Sequence, residues 1–462
     1  MQRPPLGPIF SLNLAGHPTI VLNTFKAAGD LLDRRSNIYS DRPRYVMAGE
    51  ILSGGIGIAF AHYGSTFRKL RRASHEGFST RAVEKYCSIQ AREAAFATAQ
   101  MLKTPKTWQN HIQGLSASVV LSAVYGWPPL TEKDDPWVKK IHALSPRLSE
   151  AMVPWAFIVD VIPPLKHLPL WMAKWKREGL EWHQQMSETL EGFNKGVEEK
   201  MSMEQSPQCF VAELIENKDR HELTDKEAAW LSGFLFLAGA ETTAQTLFYF
   251  IQAMLLYPEV MHKAQEELDD VVGRGRVPTF EDQKDLPYIE ALVKETLRWR
   301  TPAPISLPRS VTEDDWYEGY LISKGLSIIT SIILLLRNAL IKERRLSQMA
   351  MHRYVVPTAN MAFLKIKPRL DRDRELFDDF EDFRPDRFLD GTPDDTHSMG
   401  HASFGFGRRV CVGQHFANQM MFITIATVLW AMNIDKACDS DGNPIKPNRN
   451  AFVVAGTTLL VT

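Results

Sequence analysis

The pattern of apolar and polar positions predicts a mainly helical chain with a few short strands. Near the start, Ile9-Phe10-Ser11-Leu12-Asn13-Leu14 and Thr19-Ile20-Val21-Leu22 read as two strands with Gly16-His17-Pro18 turning between them. Thr24 to Arg34 reads as a helix, and Ser40-Asp41-Arg42-Pro43 ends that opening stretch. Tyr63 to Arg72 opens a basic helix, and Ala117 to Tyr125 is an apolar helix followed by Gly126. Gly179 to Met203 reads as a long polar helix on a solvated surface. Thr224, with Glu227 three residues on, forms a helix-start box. The helix that follows, from Trp230 to about Leu256, is apolar nearly all round, so burial is expected. A last apolar helix runs from Gly413 to Met432, and Tyr320-Leu321-Ile322 is strand-like. Ile158 to Leu170 is a proline-rich loop leading into Leu170-Trp171-Met172-Ala173-Lys174-Trp175. That segment either packs under a loop or faces a substrate entrance or a membrane.

Composition narrows the function. The chain has 462 residues, a net charge of −1, 44% hydrophobic and 24% charged residues, which is globular and ample for enclosing a cofactor. No positive field favours nucleic acid. Cys87, Cys209, Cys411 and Cys438 form no CxxC pair, so neither a zinc site nor a disulfide framework is expected, and a reducing, cytosolic setting fits. The longest apolar run, Ile328 to Leu336, is far short of the roughly 20 residues that cross a bilayer. Met1-Gln2-Arg3-Pro4-Pro5-Leu6 reads as neither signal peptide nor anchor.

Polar groups in unusual settings mark the chemistry. Phe404-Gly405-Phe406-Gly407-Arg408-Arg409-Val410-Cys411-Val412-Gly413 sets a cysteine among glycines, beside cations and at a helix start. Such a thiol should ionise easily and suits iron. Phe234 to Thr243 carries Glu241 and Thr242 in an apolar helix, next to the small Ala238-Gly239, which would let a flat cofactor or O2 near the backbone. Glu295 and Arg298 fall at i, i+3 on one helix face, a spacing that most often means a surface pair. Arg68, Arg71 and Arg72 share a basic face.

The spacing Phe-x-x-Gly-x-Arg-x-Cys-x-Gly at Phe404–Gly413 resembles the haem-binding signature of the cytochromes P-450. Ala-Gly-x-Glu-Thr-Thr at Ala238 to Thr243 resembles that family's oxygen-activating helix, and Glu295-x-x-Arg298 with Arg387 resembles its buried ion network. The resemblance implies a mainly α fold with a smaller β-rich lobe: one domain over 1–462, β-rich to about 60 and helical from about 61. It implies haem b with Cys411 as the axial iron ligand, its charge held by backbone N–H groups and the following helix start, and with Phe404, Gly405, Gly413, Ala238 and Gly239 around the cofactor. Arg71, Arg309 and Arg409 would neutralise propionates, while Phe67 stands where the family often has Trp, so an indole N–H is lost. Glu241 and Thr242 would deliver protons to the distal oxygen.

The implied activity is monooxygenation of a hydrophobic small molecule with O2. Electrons would come from NADPH through a separate flavoprotein reductase, since no dinucleotide fingerprint supports a fused one. The basic face around Arg71 would also suit an acidic electron-transfer partner. Phrases such as Arg42-Pro43 and Tyr63-Gly64 suggest a fungal, microsomal-type branch and secondary metabolism. Such proteins usually carry an N-terminal anchor, which implies the cytosolic face of the endoplasmic reticulum for an anchored form, and a soluble or peripheral state for the sequence as it stands. An isomerase or dehydratase that needs no reductase, and an impaired haem-binding relic, are the alternatives.

The sequence departs from the family path at 334–349 and 354–372, two blocks flanking Ala350-Met351-His352-Arg353. Joining Ser331-Ile332-Ile333 to Ala350, and Arg353 to Asp373, restores a family-like path, as retained introns or a gene-model error would require. Both blocks lie between Glu295/Arg298 and Arg387. The intact chain should therefore hold haem poorly, and deleting both blocks should raise haem per protein. A spliced transcript encoding both blocks, with full haem content in the intact chain, would refute this.

Overall fold

The structure, a computed structural model, describes residues 7–14, 17–130, 146–152, 156–204, 207–303, 306–330, 379–389 and 402–449. The departing blocks 334–349 and 354–372 lie outside the described residues. The two N-terminal strands form: β1 (Ile9–Leu14) pairs antiparallel with β2 (His17–Leu22). β2 begins two residues earlier than the pattern predicts, taking in His17 and Pro18. Thr24 caps the next helix by accepting from the Ala27 N–H, and that helix widens into a π-type turn over Gly29–Arg34.

Eight longer helices build the body: α1 (Ser65–Phe78), α2 (Cys87–Lys103), α3 (Trp108–Tyr125), α4 (Lys174–Ser202), α5 (Asp225–Leu256), α6 (Pro258–Val271), α7 (Pro287–Trp299) and α8 (Gln414–Ala431). Gly126, left-handed at φ 63°, ends α3 as expected. At the start of α5, Glu227 N–H donates to Thr224 Oγ1 and Thr224 N–H to Glu227 Oε2, the full reciprocal box. α5 is long and apolar enough to cross a bilayer by length and composition, yet it packs in the middle of the body, against α3 and α4 on different sides.

The reading of the polar α4 as solvated surface is corrected. Trp182, Met186, Leu190, Phe193 and Val197 are buried at helical spacing, so α4 is amphipathic. Its Gly179 admits no side chain, because a Cβ there would lie 2.8 Å from Ile51.

The sheet draws on distant parts of the chain. β3 (Arg309–Ser310) and β6 (Ser327–Thr330) join β1 and β2 in the order β1-β2-β6-β3, with β2 and β6 parallel and β3 antiparallel to β6. β4 (Asp315–Tyr317) and β5 (Tyr320–Ile322) form a separate hairpin. Among the described residues two larger hydrophobic cores result, beside two small clusters around Val21 and Phe388. The larger one gathers the helices, while the smaller joins Ile20, Leu22, Phe25 and Leu31 to Val311, Ile328 and Phe406. This matches the expected mainly α fold with a smaller β-rich lobe.

Candidate functional site

The Cys411 turn lies on the seam between those cores. Phe406 is buried in the smaller, edge-on to Phe25 at 5.5 Å between centroids, while Phe404 and Val412 pack on the larger. Gly405 (φ 78°) and Gly407 (φ 53°) are left-handed, where only glycine is free of strain. At Gly407 a Cβ would also sit 2.0 Å from the Leu32 carbonyl oxygen, and the Gly407 N–H donates to Asp33. The Cys411 N–H closes the turn on the Phe404 carbonyl at 2.8 Å, and Ser403 Oγ ties it to the Leu297 carbonyl of α7 at 3.0 Å. Gly413 precedes α8, and its bare Cα leaves a missing Cβ 3.9 Å from Cys411 Sγ.

Four arginines stand in one another's field beside this turn. Arg71, from α1, donates Nη1 to the Val410 carbonyl at 2.6 Å, and its cation lies close enough to act on Cys411. Its helix neighbours Arg68 and Arg72 are exposed. Arg309 is buried on the edge strand and donates Nη2 to Phe406 O at 2.6 Å, while its buried Nη1 meets no partner among the described residues. Arg409 donates Nε to Ser40 O at 2.8 Å and Nη2 to Ala61 O at 2.7 Å, with its guanidinium stacked 3.6 Å from the Phe67 ring centroid. Phe67 thus replaces the lost indole donor with a stacking face. Sequence reasoning missed the fourth, Arg42: buried, it donates to the carbonyls of Ala59, Leu307 and Pro308. Carbonyl partners leave no signature in a sequence, so only Arg42's place before Pro43 marked it.

Burial, then mutual repulsion, dominates this cluster. Desolvation pushes Arg309 down to about 9, helped by Arg42 and opposed by Asp33. Arg409 falls to about 9 through desolvation and then Arg42 and Arg309. Desolvation takes Arg42 to about 10, and it lowers Arg71 as well. Two buried and two half-buried guanidiniums held mainly by carbonyl dipoles have the chemistry to receive an anion.

The expectation of an easily ionised Cys411 is corrected. Its side chain keeps accessible surface but is ringed by protein, and that burial pushes the thiol above its ordinary value. The Gly413 N–H and the Arg71 cation act the other way without prevailing. Without a ligand the sulfur is a thiol at neutral pH, and a bound metal would have to drive off the proton.

On α5 the burial expected all round is broken in the middle of the helix, most along one stripe. Leu235, Ala238, Gly239 and Thr242, at i, i+3, i+4 and i+7, retain exposure between buried neighbours such as Phe236, Ala240 and Thr243. Thr242 Oγ1 donates to Ala238 O at 2.8 Å, and Glu241 is half-buried. A Cβ on Gly239 would lie 3.1 Å from Val120 of α3, so its small size also serves helix packing.

The ion network forms. Glu295 and Arg298 are fully buried, with Arg298 Nε at 2.5 Å and Nη2 at 2.7 Å from the carboxylate. Arg387 Nε reaches Glu295 at 3.3 Å, and the Arg384 N–H donates to Glu295 Oε1 at 2.7 Å. Arg298 also holds the carbonyls of Phe380 and Asp382. The commonest fate of this spacing, a weak surface pair, is excluded. Removing one member of such a buried set typically costs about 3–5 kcal/mol. α7, which carries Glu295 and Arg298, packs against α8, the helix that follows the Cys411 turn.

The family model described as Cytochrome P450 matches residues 2–341 and 354–460. Its break falls within the departing region but takes in Met351-His352-Arg353 and does not coincide with either block. The chain is 48% identical over 455 residues to cytochrome P450 monooxygenase 58 of Postia placenta, covering 97% of this chain and 80% of that one. It is 33% identical over 478 residues to cytochrome P450 monooxygenase iboC of Amanita muscaria, covering 99% and 84%. A zebra fish cytochrome P450 solved with progesterone superposes with a TM-score of 0.69 at 21% identity, over 92% of this chain and 89% of that one.

Opposing effects at Arg309 make a sharp test. Burial holds Arg309 well below the ordinary guanidinium range, at about 9, a charge penalty on the order of several kcal/mol, against about 1 kcal/mol for the bond to Phe406. Arg309→Met should therefore raise the melting temperature of the haem-free chain by a few degrees, while haem leaves the loaded protein faster. A lowered melting temperature with unchanged haem retention would show that Arg309 is an ordinary structural residue.

Proposed function

The chain belongs to the cytochrome P450 family and is a haem-dependent monooxygenase, and from that premise we propose how its residues serve one reaction. It inserts one atom of O2 into a hydrophobic small molecule, with electrons from NADPH delivered by a separate flavoprotein reductase. The observation that carries this reading is the pairing of the Cys411 turn with a buried cation cluster that includes an unpartnered Arg309 Nη1.

The residues present fit haem. Cys411 offers a soft sulfur at a turn whose glycines leave room, and Arg71, Arg309 and Arg409 offer cations to two propionates. Phe404, Gly405 and Gly413 shape the turn around the sulfur. Bound there, haem supplies the iron on which O2 is activated. Arg71 stabilises the ionised Cys411 sulfur, and the Gly413 N–H offers it a hydrogen bond. Thr242 Oγ1, anchored on Ala238 O, and the Glu241 carboxylate hold the water that passes protons inward, along the open stripe of α5. Glu295, Arg298 and Arg387 hold the segment before the Cys411 turn to α7.

We place the protein at the cytosolic face of the endoplasmic reticulum. What supports a membrane contact is the run of exposed apolar residues Ile158, Ile162, Leu170, Trp171 and Met172. The exposed Arg68 and Arg72 on α1 suit an acidic reductase. The relatives' names speak for a monooxygenase rather than an isomerase or a relic.

Cys411→Ser should abolish the red-shifted Soret band that a thiolate ligand gives in the reduced, CO-bound protein. A mutant that keeps the band would overturn the assignment of Cys411.

Thr242→Ala should leave haem content unchanged but lower product formed per NADPH consumed, with hydrogen peroxide or water formed instead. An unchanged ratio removes Thr242 from the proton path, and lost haem would make its role structural.

A further inference from the structure

Arg42 is buried, and among the described residues it has no carboxylate within ion-pair distance. Burying an unneutralised guanidinium is unfavourable, and desolvation indeed takes it to about 10. It therefore needs a structural return, and its partners supply one. Nε donates to Ala59 O at 2.9 Å, while Nη1 is shared between Leu307 O and Pro308 O, each at 2.8 Å.

Both carbonyl sets belong to backbone that carries the neighbouring arginines. Ala59 lies between Ile58 and Ala61, whose carbonyls accept from Arg409 Nη1 and Nη2 at 3.4 and 2.7 Å. Leu307-Pro308 runs directly into Arg309 at the start of β3. Asp41, next to Arg42, is bridged to Ser310, the other residue of that strand, whose N–H donates to Asp41 O at 3.0 Å. One rigid fork thus clips the 58–61 backbone to the 307–309 backbone.

We infer that Arg42 is a positioning residue for the cofactor site, fixing Arg309 and Arg409 at the spacing that two carboxylates of one haem require. This rests on the haem reading above. Its sign is not that of a plain charge, since Arg42 repels both neighbours. Geometry is the contribution, and a planar fork reaching three carbonyls is something a lysine point charge cannot copy.

The test is a double-mutant cycle on haem loss, read as transfer to apomyoglobin, with parent, Arg42→Lys, Arg309→Met and the double variant. Arg42→Lys should speed loss about tenfold in the parent but no more than about threefold beside Arg309→Met, because the positioned group is then already gone. It should also shift the iron midpoint potential at full loading, which general loosening of the fold leaves in place. Equal factors in both backgrounds, or parent-like retention in Arg42→Lys, would overturn the inference. If Arg42→Lys does not accumulate folded, Arg42→Gln enters the same cycle under the same criteria. A parent protein that takes up no haem, even after deletion of 334–349 and 354–372, would instead defeat the proposed function.

Discussion

Too much buried positive charge in one place is the constraint on which the site depends. Desolvation lowers Arg42, Arg71, Arg309 and Arg409 alike, and repulsion from neighbouring guanidiniums lowers Arg309 and Arg409 further. Backbone carbonyls solvate them only in part. The protein tolerates this because its fold is stabilised elsewhere, by a large helical core and by the Glu295 network in which one buried carboxylate answers two guanidiniums. The two arginine groups thus behave oppositely. The one at Glu295 is neutralised by a buried carboxylate, and the one near Cys411 rests on backbone carbonyls, with Arg309 Nη1 left without a partner among the described residues.

Position in the fold divides these tasks. The Cys411 turn is gripped from both cores, by Phe406 in one and by Phe404 and Val412 in the other. α7 contributes at both ends of the arrangement, through Glu295 and Arg298 on one side and the Leu297 carbonyl on the other. Backbone geometry therefore fixes the sulfur in place, while desolvation, against the Gly413 N–H and Arg71, pushes its thiol above the ordinary value.

What could be read in the sequence was whatever is carried by side chains in tight local order. Phe404–Gly413, Ala238 to Thr243, Glu295 with Arg298, and the Thr224 box were all legible, because their spacing is fixed by a turn or a helix face. Arg387 was legible only through resemblance, since its partner lies 92 residues away. Arg42 was not legible as part of the site, because its partners are carbonyls that every residue possesses. The packing of Gly239 on Val120 was not legible, because smallness looks the same whether it serves a ligand or a neighbouring helix. The polar α4 was misread because five buried side chains, three or four residues apart, are diluted by charged neighbours. The easily ionised Cys411 was misread because nearby cations are visible in a sequence while desolvation is not.

The contact of Gly407 with Leu32 and Asp33 bears on how the protein is made. The donor and acceptor there are 374 residues apart. At about 5–20 residues per second on the ribosome, their meeting waits roughly 20–75 s after the first half has been synthesised. β2 waits nearly as long for β6, its parallel neighbour, so a hairpin with an unpaired edge is presented throughout elongation. The smaller lobe is thus sewn from segments far apart in the chain, and it can close only after most of the chain has been synthesised.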